Sequence, residues 1–454
     1  MSKVMTYGGH FRAITVLGLP LIGGHLAQYA IGLTDTVMLG WYGVDALAAV
    51  TLASSYFFVL FLFGAGFGWA VMPMVAAAAA EEDETSIRRA TRMGLWLSLI
   101  YAALLMPMLW WSYPIFIALD QEPEVSQTAS EYLKVAGWGL FPALLVMVLK
   151  SYLAALERTQ IVLWITVIAA VVNAITNYAL IFGNWGAPEL GVIGAAVASV
   201  ATQVVSLVAV VIYAVRELPE HSLFQRFWRP DWEMFARVFR LGLPIGLTTL
   251  AEVSLFATSA VMMGWLGQVP LAAHGIALNL ASATFMVHLG LSNVATIRAG
   301  NAFGRQDRAH LTKGAIAVTG MSLIMSALTI VLFLTCAEPL ISLFMEPDDP
   351  QRPEILAIGV GLLAMAALFQ LVDGAQVIAL GLLRGLQDAK IPMVMAALSY
   401  WVIGIPASYY FGFIEGMEGI GVWMGLVLGL ACAAVLLMAR FWMRSVQQVG
   451  VPAE

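Results

Sequence analysis

Apolar runs of about 20 residues recur along the whole chain, each closed by charged residues or Gly/Pro clusters, and they predict twelve membrane-spanning α-helices. The runs cover residues 14–39, 46–75, 93–117, 131–155, 161–183, 190–215, 238–264, 271–296, 313–338, 354–382, 391–413 and 418–440. The second is extended by the continuous apolar stretch from Val71 to Ala80. An all-α, polytopic membrane protein is the expected fold class. The polar opening, Met1 to His10, leads into an uninterrupted span rather than a short apolar core with a cleavage site, so the first span is expected to remain in the mature protein.

The pattern is duplicated. At an offset of 224, Leu17-Gly18-Leu19-Pro20 aligns with Leu241-Gly242-Leu243-Pro244, and the match continues without gaps to Ala49 and Ala273, with about 15 of 33 positions identical. Val37-Met38 with Val261-Met262 and Gly40-Trp41 with Gly264-Trp265 are among the pairs. Six spans per copy is an even number, so both copies enter the membrane from the same face. The two six-helix repeats are therefore parallel, related by a pseudo-two-fold along the membrane normal, with a cleft expected between them. This predicts an N-terminal bundle over 1–215, a linker over 216–237 and a C-terminal bundle over 238–454. The linker holds Pro219 and Pro230 and is rich in arginine. It reads either as a solvated connection that lets two bundles rock or, from Asp231 to Arg237, as the start of a short interfacial helix.

Composition agrees: 61% of residues are hydrophobic and 11% charged, against about 25% charged in soluble domains. A net charge of −6 without a basic face excludes a nucleic-acid partner. Cys336 and Cys432 lie in apolar stretches and provide neither a disulfide framework nor a metal cluster. With an inside N-terminus, about 20 of the 22 Lys and Arg residues fall in inner segments, leaving Lys134 and Arg352 outside. Positive residues are retained in the cytoplasm, so a cytoplasmic-membrane protein with both termini inside is expected. Lys3 belongs to the inner set, and Asp348 and Asp349 to an acidic outer connection.

A charged side chain at depth costs about 2.5–3.5 kcal/mol on insertion scales, so each one retained there is a candidate functional group. Asp35 in the first span, Glu252 in the seventh and Asp373 in the tenth qualify, and no Lys or Arg is expected at comparable depth. A buried carboxylate either keeps a proton or recruits a cation such as Na+, which makes Glu252 and Asp373 the candidate proton- or cation-coupling pair. At the repeat offset Glu252 pairs with Gln28 and Asp35 with Ser259, so the acids are an asymmetric feature on a symmetric scaffold. Hydrogen bonding to neighbouring Ser, Thr or Asn is the structural alternative for all three.

Asn173 and Asn177, four residues apart, project from one face of the fifth span and could orient an ion or substrate or join helices. Gly64, Gly66 and Gly68 have neither a preceding strand nor a following Lys, so close helix packing explains them better than a nucleotide loop. His274 and His288 read first as hydrogen-bonded packing residues and second as proton relays. Tyr29, Phe256, Phe285 and Phe369 lie near the acids in sequence, where aromatic faces suit flat cationic guests.

No Gly-x4-Gly-Lys-Ser/Thr loop and no large aqueous domain is present to use ATP, so an ion gradient is the expected energy source. Intramembrane enzyme motifs, such as an Asp-rich Mg²⁺ site or His-Glu-x-x-His, are also absent, and no catalytic residue or cofactor is expected. The duplicated Leu-Gly-Leu-Pro, Thr34-Asp35-Thr36-Val37-Met38-Leu39-Gly40, Ala295-Thr296-Ile297-Arg298-Ala299-Gly300-Asn301 and Leu386-Gln387-Asp388 resemble the multidrug and toxic compound extrusion (MATE) transporters, in their NorM-like branch. The resemblance covers nearly the whole chain. It implies a V-shaped pair of six-helix bundles, working as a monomer, that exports organic cations in exchange for Na+ or H+. The acids of that pattern fall on Asp35, Glu252 and Asp373, and its fifth-span Asn motif on Asn173 and Asn177. Ser292-Asn293 departs from the pattern, where a more apolar pair is expected. A lipid-linked oligosaccharide flippase of the same broad fold is the alternative; it calls for a cleft rich in Arg and Lys.

Overall fold

The computed structural model describes residues 5–348 and 350–450; Lys3 and Asp349 of the charge pattern lie outside them. Twelve helices in the described residues are long and apolar enough to cross a membrane. They are α1 (Tyr7–Tyr42), α2 (Asp45–Ala80), α3 (Glu84–Trp110), α4 (Pro123–Ala155), α5 (Thr159–Phe182) and α6 (Gly191–Glu217), then α7 (Trp232–Leu266), α8 (Gln268–Gly304), α9 (Arg308–Thr335), α10 (Arg352–Gly385), α11 (Lys390–Ile414) and α12 (Glu418–Gln448). No strand occurs among the described residues. Leu104, Leu334 and Val435 are more than half exposed, as side chains that face acyl chains rather than water must be. The chain is a multi-pass, all-α membrane protein.

The helices outrun the apolar windows because polar caps add turns beyond the lipid-soluble part. Asp83 accepts from the Ser86 backbone N–H at 3.0 Å and starts α3. Asp307 accepts from that of His310 at 2.9 Å and starts α9. These capping acids stand 224 residues apart, so the duplication reaches into the turns as well as the spans. Two short stretches of α11, Ser399–Gly404 and Tyr410–Ile414, are π-helical. A π turn admits an extra residue and rotates the remainder of the helix about its axis.

The chain sorts into two compact units, and their limits differ from the sequence-based bundles. One comprises Gly23–Gly246, the other Met1–Ile22 with Leu247–Glu454. The divisions fall inside α1 and α7, just after Pro20 and Pro244, at positions related by the same repeat offset. Each proline removes one helical N–H and loosens the preceding turn. The first turns of α1 thus pack with the later spans, and those of α7 with the earlier ones.

The 216–237 segment is not a loose connection. It lies within the Gly23–Gly246 unit, where Arg92 donates to the carbonyls of Ser222, Leu223 and Gln225 at 2.7–3.2 Å. The Trp96 indole donates to Phe227 O at 2.8 Å and stacks on its ring, and Tyr152 is bonded to His221. Asp231 caps α7 at Met234 N, so Asp231 to Arg237 begins a spanning helix instead of an interfacial one. Arg89 closes the strap by pairing with Asp231 and with Glu233.

The hydrogen bond from Arg89 holds the Asp231 carboxyl below the usual carboxylate range. A depressed carboxylate pKa contributes stability above the unfolded value, near pH 4, and loses it as pH falls through the folded value. Both partners are partly exposed, so the pair is worth about 0.5–1 kcal/mol. Asp231→Asn should lower the thermal midpoint slightly at neutral pH and leave it equal to wild type in strong acid. A deficit that persisted in acid would show that the charge is not its source.

Small residues set the helix spacing. Gly66 of α2 abuts the backbone of Gly242 and Gly246, and Gly425 of α12 abuts the Ser408 backbone, approaches a Cβ would block. In the second unit Ser292 donates to Val377 O at 2.7 Å and Thr296 to Gly381 O at 2.9 Å. Ser292, the departure from the family pattern, therefore clamps α8 to α10. Asp388 of the Leu386-Gln387-Asp388 motif accepts from Arg440 at 2.7 Å and from Ser445 at 3.1 Å, and so ties the α10–α11 turn to the end of α12.

Candidate functional site

In the Gly23–Gly246 unit, α1 presents Asp35 to α5. Asn177 Nδ2 donates to Asp35 Oδ1 at 2.5 Å and to Asn173 Oδ1 at 3.2 Å. Asn173 and Asn177 are fully buried and Asp35 is partly so. Thr34 and Thr36, the neighbours that could have satisfied Asp35, instead bond back to the carbonyls of Ala30 and Gly32. Asn177 Oδ1 has no protein partner. The cluster thus offers a carboxylate and amide oxygens within one small buried region, a donor set suited to a hard cation. Tyr132 of α4 lies within electrostatic range of Asp35.

The second unit brings Glu252 of α7 and Asp373 of α10 into electrostatic contact. Gln376, fully buried, bonds Glu252 and donates to the Tyr400 hydroxyl at 2.5 Å. Tyr400 is fully buried and lies in the first π-helical stretch of α11. Asp373 is 2% exposed, and its Oδ1 has no protein partner. Next to Tyr400, the Trp401 indole donates to Ser254 at 2.7 Å, fixing α11 against α7 within a turn of Glu252. Among the described residues no group of three or more His, Cys, Asp or Glu is placed to hold a metal ion.

Two expectations need correction. Glu252 is not without a cation: Arg384 of α10 acts electrostatically on it, and in the other unit Lys150 of α4 donates to Thr166 of α5 at 2.8 Å. Both lie near the ends of their apolar runs and within the last turns of their helices. The second concerns partners: Asp35 does bond an Asn, whereas Glu252 is bonded by Gln376, which reaches Tyr400 in turn, and neither of these two stood out in the sequence. A buried uncharged polar residue carries too small a transfer cost to stand out in a hydropathy pattern.

The histidines occupy packed positions. His288 Nδ1 bonds Ser322 at 2.9 Å, with Ser326 on the ring's other side at 3.5 Å. His274 accepts from the Trp423 indole at 3.1 Å. Trp423 in turn meets Phe369, and Phe369 meets Phe256, in edge-to-face contacts of 5.6 and 5.8 Å. At the repeat-equivalent positions Gln28 is exposed and the Ser259 hydroxyl bonds its own helix. Only one acid per pair of equivalent sites has therefore been kept.

Duplicated spans around buried carboxylates define a class of polytopic carrier-like membrane proteins, and similarity to known proteins gives the family. The MatE family model matches residues 20–179 and 244–410, one segment per repeat. The chain belongs to the MatE family. It is 46% identical to the "Probable multidrug resistance protein NorM" of Rhizobium meliloti, over 95% of this chain and 93% of that one. To the protein of the same name from Agrobacterium fabrum it is 45% identical, with the same coverage. The fold matches an outward-facing multidrug resistance MATE family transporter of the MOP superfamily, with a TM-score of 0.89, 20% identity and coverage of 98% and 97%.

Proposed function

We propose that this protein is an ion-coupled antiporter that exports amphipathic organic cations and drugs across the cytoplasmic membrane by alternating access. Glu252 and Asp373 are its coupling carboxylates, and Asp35 with Asn173 and Asn177 forms a second ion- or substrate-binding site. The observation that carries this reading is the approach of Glu252 to Asp373, with Gln376 bonded to Glu252 and one Asp373 oxygen left unpartnered. Two adjacent carboxylates repel when both are ionised, so binding either H+ or Na+ relieves the pair. Binding that differs between two conformations is what couples a gradient to transport. The names of relatives at 45–46% identity support multidrug resistance as the physiological role. Positive residues at one end of the spans support an orientation with both termini cytoplasmic, and a monomer accounts for the duplicated architecture without a partner chain.

The reading is tested by reconstituting the full chain in vesicles loaded with a fluorescent organic cation and imposing a Na+ or an H+ gradient separately. At least one gradient should drive efflux above the passive leak, and the effective ion names the coupling species. Efflux that depends on neither gradient would exclude an antiporter.

A further inference from the structure

The start of α1 is held by an arrangement that the coupling carboxylates do not use. His10, in the first turn of α1, is fully buried. Its Nδ1 lies 2.8 Å from Nη2 of Arg298 on α8, and His310 Nε2 on α9 lies 3.1 Å from the same nitrogen. The two imidazole rings are 4.7 Å apart. Met5 Sδ sits 3.6 Å from that nitrogen, and Tyr7 lies under the Lys313 ammonium at 5.8 Å. Gly314 of α9 packs beside the His10 ring.

The protonation states are fixed by valence. A guanidinium has only N–H donors, so an imidazole nitrogen bonded to it must offer a lone pair. Nη2 carries two hydrogens and bonds both rings, with Met5 Sδ a weaker third acceptor. His10 is therefore bare at Nδ1 and His310 at Nε2, and both rings are neutral. The charged groups around them are Arg298 on α8, Arg305 and Asp307 in the turn before α9, and Lys313 on α9. The carboxylate among these, Asp307, is engaged in capping His310 N.

We propose that His10, His310 and Arg298 form an acid-released latch that fastens the first turns of α1 to α8 and α9. A proton on either ring turns an acceptor into a donor that faces another donor. One hydrogen bond is lost and a new cation stands beside the guanidinium, in surroundings that are already positive. Either ring suffices to weaken the latch, and the second proton completes the release. With the termini inside, as proposed above, the latch reads cytoplasmic pH; its chemistry does not depend on that orientation or on which ion drives transport.

Hydrogen exchange of the full-length protein in lipid nanodiscs tests the latch at about pH 7.5 and about pH 5, values on either side of the ordinary histidine pKa. After correction for intrinsic rates, amides of residues 7–17 should exchange at least about tenfold faster in acid, while those of α12 stay unchanged. The paired substitutions His10→Asn and His310→Gln place an amide oxygen where each accepting nitrogen stands and cannot take up a proton in this range. They should keep the neutral-pH protection and abolish the acid response. Should the double variant not fold, His10→Asn alone should reduce the response. Wild-type protection that is equal at both pH values, or an unchanged acid response in the variants, overturns the latch.

Discussion

Glu252→Gln and Asp373→Asn should each reduce gradient-driven efflux to the passive leak while the protein stays folded. Both replacements preserve shape and remove the charge and the titratable proton, so the packing of α7 and α10 is retained. What disappears is a site whose affinity for an ion can differ between conformations, and without that difference a gradient does no work on the substrate. Gln376→Leu separates coupling from charge. The acids remain, but Glu252 and Tyr400 lose the buried amide that joins them, at a cost of about 1–3 kcal/mol for an unsatisfied buried group. Efflux should fall in this variant together with the thermal midpoint, whereas the two acid variants lose efflux with a midpoint near that of wild type. The experiment is a vesicle efflux assay at matched protein density, run beside thermal unfolding. If either acid variant kept wild-type efflux, that residue would not be a coupling group.

The twelve spans were legible because a lipid core of fixed thickness imposes a length and a composition on each one. The duplication was legible through Leu-Gly-Leu-Pro and its copy, and the acids through their cost in an apolar setting. The prolines were visible too, but nothing in an apolar pattern tells which bundle the turns ahead of Pro20 and Pro244 will join. That exchange of helix starts is settled by tertiary packing, such as Gly66 against Gly242. Arg89 and Arg92 read as orientation signals, and their second task, strapping the 218–233 segment, needs partners some 130–144 residues away. Arg384 reads as an orientation signal in the same way, and its long side chain acts on Glu252 of another helix. Tyr400 was hidden among ordinary aromatics, because a π turn in α11 is a product of packing rather than of propensity.

The cation beside Glu252 reshapes the expected substrate selectivity. From the three acids alone, a substrate cleft of negative potential that favours monovalent, aromatic cations is expected. In the structure Lys150 lies in the same unit as Asp35, while Arg384 acts on Glu252 in the unit that also holds Asp373. In the ion-free state, with both acids ionised, Glu252 and Asp373 against Arg384 leave a net negative charge in the second unit. One net charge at about 8 Å with an effective dielectric near 20 is worth about 2 kcal/mol, or roughly thirtyfold between a cation and a neutral analogue. An anion is disfavoured by a similar further factor. In reconstituted vesicles, a matched series of cationic, neutral and anionic dyes should be exported in that order of preference. Discrimination within the cationic class should stay loose, because the 23 methionines and many aromatic residues offer adaptable apolar surfaces instead of a fixed hydrogen-bond pattern. Arg384→Gln should sharpen the preference for cations, whereas Asp373→Asn should flatten it even in binding measurements made without a gradient. Preferential export of the anionic dye, or of a pyrophosphate-linked lipid, would reject the cation exporter in favour of a flippase.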